Sequence, residues 1–209
     1  MSNWSFEPGH TGAEFRARHM MVTWVRGHFK DVHGRLDFDP DDPLATSFEG
    51  VIDAGKLWTG ESDRDAHLRS ADFFDVEDHP EIRFSGWLAK REGALSYVGA
   101  SELTIRGKTR EVPLGVTFQG QWETPYWEGD ENRGTMRRIG FLVQTNINRH
   151  DFDVSWNDEL PGGGVVVSNE VQLRIDVEAI LDDHLRAVGL ADAIWRSDED
   201  TGLPDDANR

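Results

Sequence analysis

The stretch from Arg64 to Asp75 holds the densest group of side chains that could do chemistry. Its charged residues and one histidine surround two adjacent phenylalanines. His67, paired with Asp65 or Asp72, could act as a general acid and base, because imidazole and carboxylate groups exchange protons near neutral pH. That pairing would make the protein an enzyme acting on a lipid-like substrate.

Two further interpretations of this stretch stay open. Arg64, Asp65, His67 and Arg69 could line one end of a binding cavity, where the cations would grip a head group. The stretch could equally be an amphipathic connector that buries Ala66, Leu68, Phe73 and Phe74 and leaves its charges in water, since charge runs are usually solvated faces. All three interpretations predict a short helix or ordered crossover within residues 64–75.

Other reactive sites have little support in the sequence. The chain has no cysteine, which excludes disulfides, thiolate nucleophiles and iron–sulfur clusters. Its histidines form no i, i+4 metal-binding pair on a helix, and no Gly-x-Ser-x-Gly motif is present. A metal site made of His19, His67 and His150 would have to assemble in three dimensions. We therefore expect no metal and no cofactor.

The composition limits the partners. The formal net charge is -17 over 209 residues, and a surface so acidic disfavours nucleic acid and anionic membranes. No apolar run approaches the roughly 18 residues of a membrane span. The first residues contain no basic and apolar secretory signal. We expect a cytoplasmic protein.

Short alternating segments dominate the chain up to about residue 180. Leu36 and Phe38 share one face of such a segment, and Arg35, Asp37 and Asp39 share the other. Such period-2 alternation, repeated about ten times between turns, predicts antiparallel β-structure. A barrel of about eight strands removes the exposed edges and has room inside for side chains or one ligand. A two-sheet sandwich would alternate in the same way, so the pattern leaves both folds open.

Glycine and proline add local detail to this pattern. Gly27 allows another part of the chain to approach the backbone of its strand closely. Pro113 predicts a sheet edge or a bulge, because proline has no N–H to donate to a neighbouring strand. We interpret the aromatic and charged segment 120–134 as a long loop or the tip of a hairpin.

Eleven phenylalanines and eight tryptophans, against two tyrosines, favour an apolar interior. They fit an ordinary β-core as well as a tunnel for a long apolar ligand, since small-molecule sites are mostly apolar with a few polar groups. Strand alternation predicts the lining residues, and a register error of one residue would exchange the two faces. The lining candidates are Phe15, Leu36, Phe38, Phe84, Phe118, Phe141 and Val143. The candidates for polar contacts are His19, Arg64, His67 and Arg149.

The chain changes character after the barrel segment. Residues 182–209 contain eight acids and three arginines, and their apolar residues recur at helical spacing over about 182–196. We predict a barrel over 1–180 and an acidic extension over 181–209. The extension should hold one short helix that docks on the barrel or on a second subunit, followed by a disordered tail over 197–209.

Several separated blocks resemble the YceI-like proteins, also called the polyisoprenoid-binding family. The most specific are Arg-Asp-x-His-Leu at 64–68, Asp-Phe-Phe-Asp at 72–75 and Asn-Arg-x-Asp-Phe at 148–152. Further blocks lie at 18–22, 25–29, 36–40 and 103–109.

The resemblance implies an extended, lipocalin-like antiparallel β-barrel around a tunnel for an isoprenoid or another long-chain amphiphile. It implies no catalytic activity, and it favours the barrel over the sandwich. We expect non-enzymatic binding, carriage or storage of a polyprenyl lipid, a quinone, or a fatty acid or amide, by a protein that forms a homodimer. The alternatives are the enzyme described above and a stress-response protein that docks a partner through its C-terminal helix.

Two positions depart from the family pattern. Asp153 follows Phe152 where the family usually has glycine, so we expect the local turn and the cavity wall to differ there. Ser101 stands where a glycine usually precedes the Leu-Thr-Ile segment.

Overall fold

The structure is a computed structural model that describes residues 2–158, 160 and 163–190. Its strands, in chain order, are β1 Ser2–Phe6, β2 Gly12–His19, β3 Thr23–Phe29, β4 Val32–Phe38, β5 Ser47–Asp53, β6 Leu57–Trp58, β7 Glu81–Arg91, β8 Ser96–Ile105, β9 Lys108–Glu128, β10 Glu131–Asn148 and β11 Val167–Leu181. The helices are α1 Ser62–Arg69 and α2 Asp182–Ala187, with 3-10 turns at Pro43–Ala45, Ala54–Lys56 and Arg149–Phe152. Neither helix is long and apolar enough to cross a membrane.

The strands form one closed antiparallel barrel. Three barrel strands are each interrupted once, so that β1 continues into β2, β3 into β4, and β5 into β6. The last strand, β11, closes the ring because it pairs with β2 over its first part and with β1 at its end. The eleven segments therefore make eight barrel strands, and the predicted barrel is confirmed.

The two ends of the barrel carry different connections. The β2–β3 turn, the connector with α1, the β8–β9 turn and the 149–166 segment lie at one end, which we call the α1 end. The β9–β10 hairpin and α2 lie at the other, which we call the α2 end. Segment 120–134 is this hairpin, since β9 and β10 continue to Glu128 and Glu131.

The ladder between β9 and β10 stops before the strands do. Its last pair is Gly115 with Gln144, although both strands continue toward the α1 end. Pro113 has no N–H to donate there, and its carbonyl accepts instead from the Thr145 hydroxyl at 2.7 Å. Of the edge or bulge predicted at Pro113, the structure shows a local edge, on the side of β9 that faces β10.

The C-terminal helix is shorter than the predicted 182–196. It ends at Ala187, and Gly189 follows in the left-handed conformation that terminates helices. Leu185 is fully buried against Met136 and Ile180 of the same barrel. The described part of the extension therefore docks on its own barrel, and the predicted tail over 197–209 lies outside the described residues.

Candidate ligand-binding site

A cavity of about 210 Å³ lies inside the barrel. Nearly all of its wall consists of aliphatic and aromatic side chains that alternate inward along the strands. The strand residues on this wall include Phe6, Ala13, Phe15, Ala17, Phe29, Leu36, Phe48, Ile52, Ile82, Phe84, Leu103, Val112, Leu114, Val116, Phe141, Val143, Ile147, Val171, Leu173, Ile175 and Val177. Such a lining suits a ligand that is mostly hydrocarbon.

Four phenylalanines on this wall each lie over a glycine of the adjacent strand. A Cβ on Gly34 would lie 2.5 Å from Phe6 Cε2, and one on Gly86 would lie 2.5 Å from Phe48 Cζ. Gly27 and Gly50 meet Phe15 and Phe84 in the same way. These rings occupy the space that side chains on the glycines would fill, so they extend along the wall and leave the axis open. Alternation had predicted Phe15 and Phe84, and Gly27 had been predicted as a site of close approach. The approaching group at Gly27 is the Phe15 ring, and the pairing of Gly50 with Phe84 was not predicted.

Three aromatic rings form a cluster toward the α2 end. Phe38 lies 5.4 Å from Phe118 and 5.2 Å from Phe141, measured between ring centroids, and Phe118 lies 5.3 Å from Phe141. Only Phe141 of the three also borders the cavity. Phe38 and Phe118 therefore pack inside the barrel as predicted, but they form a plug behind the wall.

The connector between β6 and β7 closes the α1 end with its apolar residues. Leu68, Phe73 and Phe74 border the cavity, and the Phe74 ring lies 5.6 Å from that of Phe29. Helix α1 at 62–69 confirms the short helix predicted in this connector. The buried residue on the helix is Asp65, whereas Ala66, which we expected to be buried, is exposed.

The charged residues of the connector hold its fold and do not border the cavity. Asp65 accepts hydrogen bonds from the backbone N–H of Thr59, at 2.9 Å, and from its hydroxyl. Arg64 donates to the Thr59 hydroxyl and carbonyl, and Arg69 donates to the carbonyls of Gly55 and Leu57. These bonds fasten α1 to β6 and to the turn before it.

His67 also lies off the cavity wall. Its Nε2 is 2.9 Å from Asp72 Oδ2, and its ring packs edge-on against Phe73 and Trp156 at 5.0 and 4.8 Å. The Asp65 carboxylate is engaged by Thr59, so the structure pairs His67 with Asp72 and not with Asp65. Neither member of this pair faces the apolar cavity.

Arg149 is the buried cation of the wall. It is 4% exposed, and its guanidinium donates to the carbonyls of Val154, Trp156, Val167 and Ser168. Burial lowers the pKa of Arg149, because taking a charge out of water disfavours its ionised form. It provides positive charge at the α1 end, next to Ile147, Phe152 and Val154 of the lining.

The two departures from the family pattern leave the wall intact. Asp153 takes the left-handed conformation, with φ 59°, that glycine usually adopts, and its exposed carboxylate lies 3.1 Å from Lys108 Nζ. Asp153 itself does not border the cavity, and a turn that differs from that of the family stays a prediction. Ser101 is buried on the cavity wall and donates to the carbonyl of Ser85 at 2.9 Å.

Six of the eleven predicted site residues border the cavity: Phe15, Leu36, Phe84, Phe141, Val143 and Arg149. Five do not: His19, Phe38, Arg64, His67 and Phe118. His19 ends β2 opposite Thr23, beside the turn to β3. Phe6, Phe29 and Phe48 were missed, although the same alternation that marked Phe15 could have identified them. Whether any of the eleven contacts a ligand stays a prediction.

The described residues bring together one group that could ligate a metal: Glu7, His10 and Glu178. His10 Nδ1 lies 2.5 Å from Glu7 Oε2 and 3.4 Å from Glu178 Oε1. Arg138 also binds Glu178 Oε1, and this second cation competes with any metal for that oxygen. His19, His67 and His150 do not form such a group within the described part of the chain.

Comparison with known proteins agrees with this geometry. The family model described as YceI-like domain matches residues 4–179. Protein YceI of Salmonella newport is 34% identical over 175 residues, covering 83% of each chain.

Two solved structures share the fold. Burkholderia cenocepacia BcnA superposes with a TM-score of 0.66 at 20% identity, covering 83% of this chain and 98% of that one. A polyisoprenoid binding domain from Saccharophagus degradans superposes with a TM-score of 0.56 at 14% identity, covering 87% of this chain and 99% of that one.

Proposed function

This chain belongs to the YceI-like domain family, and from that premise we propose that it binds a long-chain isoprenoid or a similar amphiphile inside its barrel, without chemical change to the ligand. The observation that carries the proposal is the cavity inside the barrel, whose strand-borne lining is almost entirely apolar. The binding of a polyisoprenoid by the related Saccharophagus domain supports the choice of ligand class.

Burial of hydrocarbon supplies the affinity. Each methylene group removed from water contributes about 0.8 kcal/mol, so a chain of many carbons binds tightly without directional contacts. The cluster of three aromatic rings, Phe38, Phe118 and Phe141, provides selectivity for chain length, because it limits how deep the chain of the ligand reaches.

The proposal puts a polar head group at the α1 end, near Arg149, which is the cation that borders the cavity. Four of the five N–H groups of its guanidinium donate to backbone carbonyls, so one N–H is left for a head group. A carboxylate, a phosphate or a quinone oxygen can each accept a hydrogen bond from a guanidinium. This placement accommodates polyprenyl lipids, quinones and fatty acids or amides.

The test is native mass spectrometry of protein purified from its own host, followed by organic extraction and identification of the ligand. A stoichiometric isoprenoid or quinone supports the proposal and names the ligand. Recovery of a fatty acid or a fatty amide supports the lipid-binding role and changes the class of the ligand. Protein that is empty and also refuses added prenyl lipids contradicts the proposal.

The same experiment addresses catalysis. The proposal assigns no catalytic step, so a bound lipid should be recovered chemically unchanged from both the wild type and His67→Ala. Conversion of the lipid by the wild type, lost in a folded His67→Ala variant, would favour the enzyme instead.

We further propose that residues 1–180 are the binding unit and that 181–209 are accessory. A chain ending at Leu190, which keeps the buried Leu185 of α2, should retain the ligand of the full chain. The homodimer and the cytoplasmic location stay predictions, and sedimentation equilibrium and cell fractionation test them.

A further inference from the structure

The outer face of β2, β3 and β11 brings together four arginines from three strands of this acidic chain. Since Ala13, Phe15 and Ala17 of β2 point into the cavity, the alternating residues Arg16 and Arg18 point outward. Arg26 of β3 and Arg174 of β11 are on the same side of the sheet, because they lie in register with Arg16 and Glu14. We call these four residues the arginine face.

Three carboxylates, Glu14, Glu170 and Asp176, lie on the same side of the sheet as the four arginines. Arg174 pairs with Asp176 at 3.0 Å, and Glu14 lies 3.5 Å from His28. Arg16 instead donates to the amide oxygen of Gln172 at 2.6 Å. The guanidinium of Arg18 lies over the ring of Trp24, 4.5 Å from its centroid.

Arg16 and Arg26 are direct cross-strand partners. Like charges in that arrangement destabilise a sheet, and an anion between them would relieve the repulsion. A groove of about 490 Å³ lies at this point. Three arginines, Arg16, Arg26 and Arg174, line it together with one carboxylate, Glu14, and with uncharged polar residues such as Gln144 and Asn146. The groove is large enough for a phosphate-bearing head group.

An exposed apolar tip adjoins the arginine face. The turn from β2 to β3 consists of Met20, Met21 and Val22, which are 41%, 48% and 79% exposed. Both methionines have positive φ, 48° and 58°, in a turn where asparagine and glycine are the favoured residues. Apolar side chains here cost the isolated protein both solvation and backbone strain. A further exposed apolar side chain, Trp58 of β6, is 56% exposed and lies opposite His28, farther along β3 from the tip.

From this combination we propose that the hairpin tip and the arginine face dock on an anionic lipid bilayer. The tip enters the interface between head groups and acyl chains, and the arginines contact the lipid phosphates. The net charge of -17 predicted repulsion from such membranes. The local charge at the arginine face differs from this net charge, because the fold places four arginines from three strands on one face. Nucleic acid could use the arginines but not the apolar tip.

The experiment is flotation of the full chain with vesicles of phosphatidylcholine alone and of phosphatidylcholine mixed equally with phosphatidylglycerol. We expect the wild type to float with the mixed vesicles only. Met20→Asn, Met21→Gly and Val22→Ser together should abolish flotation and keep the fold, because Asn-Gly suits this turn. Arg18→Gln with Arg26→Gln should lower the partition coefficient by about tenfold or more.

Matched controls lie at the α2 end. Trp122→Ser removes an apolar side chain that is 73% exposed, and Lys90→Gln removes one exposed positive charge. Both should float like the wild type.

The proposal fails if the wild type floats with neither vesicle, if the folded tip variant floats unchanged, or if the mixed and neutral vesicles bind equally. Binding of single-stranded DNA that needs the arginines but not the tip, without flotation, would also overturn it. The outcome is independent of the cavity, because a protein that refuses prenyl lipids can still dock on vesicles.

Discussion

The ring of Phe15 covers Gly27, its direct partner on the neighbouring strand β3. A Cβ on Gly27 would lie 2.5 Å from Phe15 Cε1 and 2.9 Å from Thr59 Cγ2, so only glycine fits under the ring. Aromatic residues opposite glycines compensate for the packing that glycine lacks. In this barrel the pairing also decides the direction of the ring, which leaves space along the axis for a ligand.

Gly27→Ala should therefore destabilise the protein by about 1–3 kcal/mol, because the methyl group displaces Phe15 toward the cavity. Urea unfolding measures this change. Gly12→Ala is the matched control on β2, since the nearest atom to its Cβ would be 3.8 Å away. Equal stability of the two variants would show that the ring moves freely and does not define the wall.

Val143→Phe should prevent ligand binding while the fold remains, because the larger side chain enters the cavity from β10. Native mass spectrometry of the variant should show the protein mass alone. Leu142→Phe introduces the same ring at the next residue, which does not border the cavity, and should keep the ligand. Ligand retained by a folded Val143→Phe variant would contradict the proposed site.

Arg149→Met should destabilise the protein by about 2–4 kcal/mol, because it leaves buried carbonyls without their charged donor. These carbonyls belong to the segment after β10 and to the start of β11. Thermal unfolding compares it with Arg110→Gln, an exposed arginine for which we expect a change within about 0.5 kcal/mol. A stable Arg149→Met variant that loses only its ligand would assign Arg149 to the head group alone.

Asp65→Ala should cost about 1–3 kcal/mol, because the backbone N–H of the half-buried Thr59 loses its acceptor and α1 loses its attachment to β6. Asp63→Ala removes an exposed carboxylate from the same helix and should have little effect. Hydrogen exchange at α1 measures the loosening directly. No change in exchange would mean that the apolar residues alone hold the connector.

Leu185→Ala should destabilise the protein by about 2–5 kcal/mol through the cavity that it leaves against Met136 and Ile180. Arg186→Ala is the exposed control. Equilibrium sedimentation of the same samples separates the two roles predicted for the C-terminal helix. If Leu185→Ala abolishes a dimer but leaves the stability of the monomer unchanged, α2 contacts a second subunit and does not stabilise its own barrel.

The alternation of apolar and polar residues was enough to predict the barrel strands and the inward faces of Phe15, Leu36, Phe84, Phe141 and Val143. That signal is local, because neighbouring side chains on a strand must point to opposite faces. The prediction at Pro113 was equally local, since a residue without an N–H cannot donate to the neighbouring strand that its nitrogen faces. The family motifs, which are also local, pointed to the barrel over the sandwich.

Contacts between distant residues required the tertiary structure. Sequence spacing placed His67 near both Asp65 and Asp72, but the fold engages Asp65 with Thr59 and leaves Asp72 to His67. The same holds for the exposed Ala66, because the orientation of α1 depends on what it packs against. Sequence alone thus determined which residues face inward, through the two-residue repeat of a strand. Only the tertiary structure decided which inward rings leave a cavity open and where the arginines meet, because both depend on pairing between strands far apart in the chain.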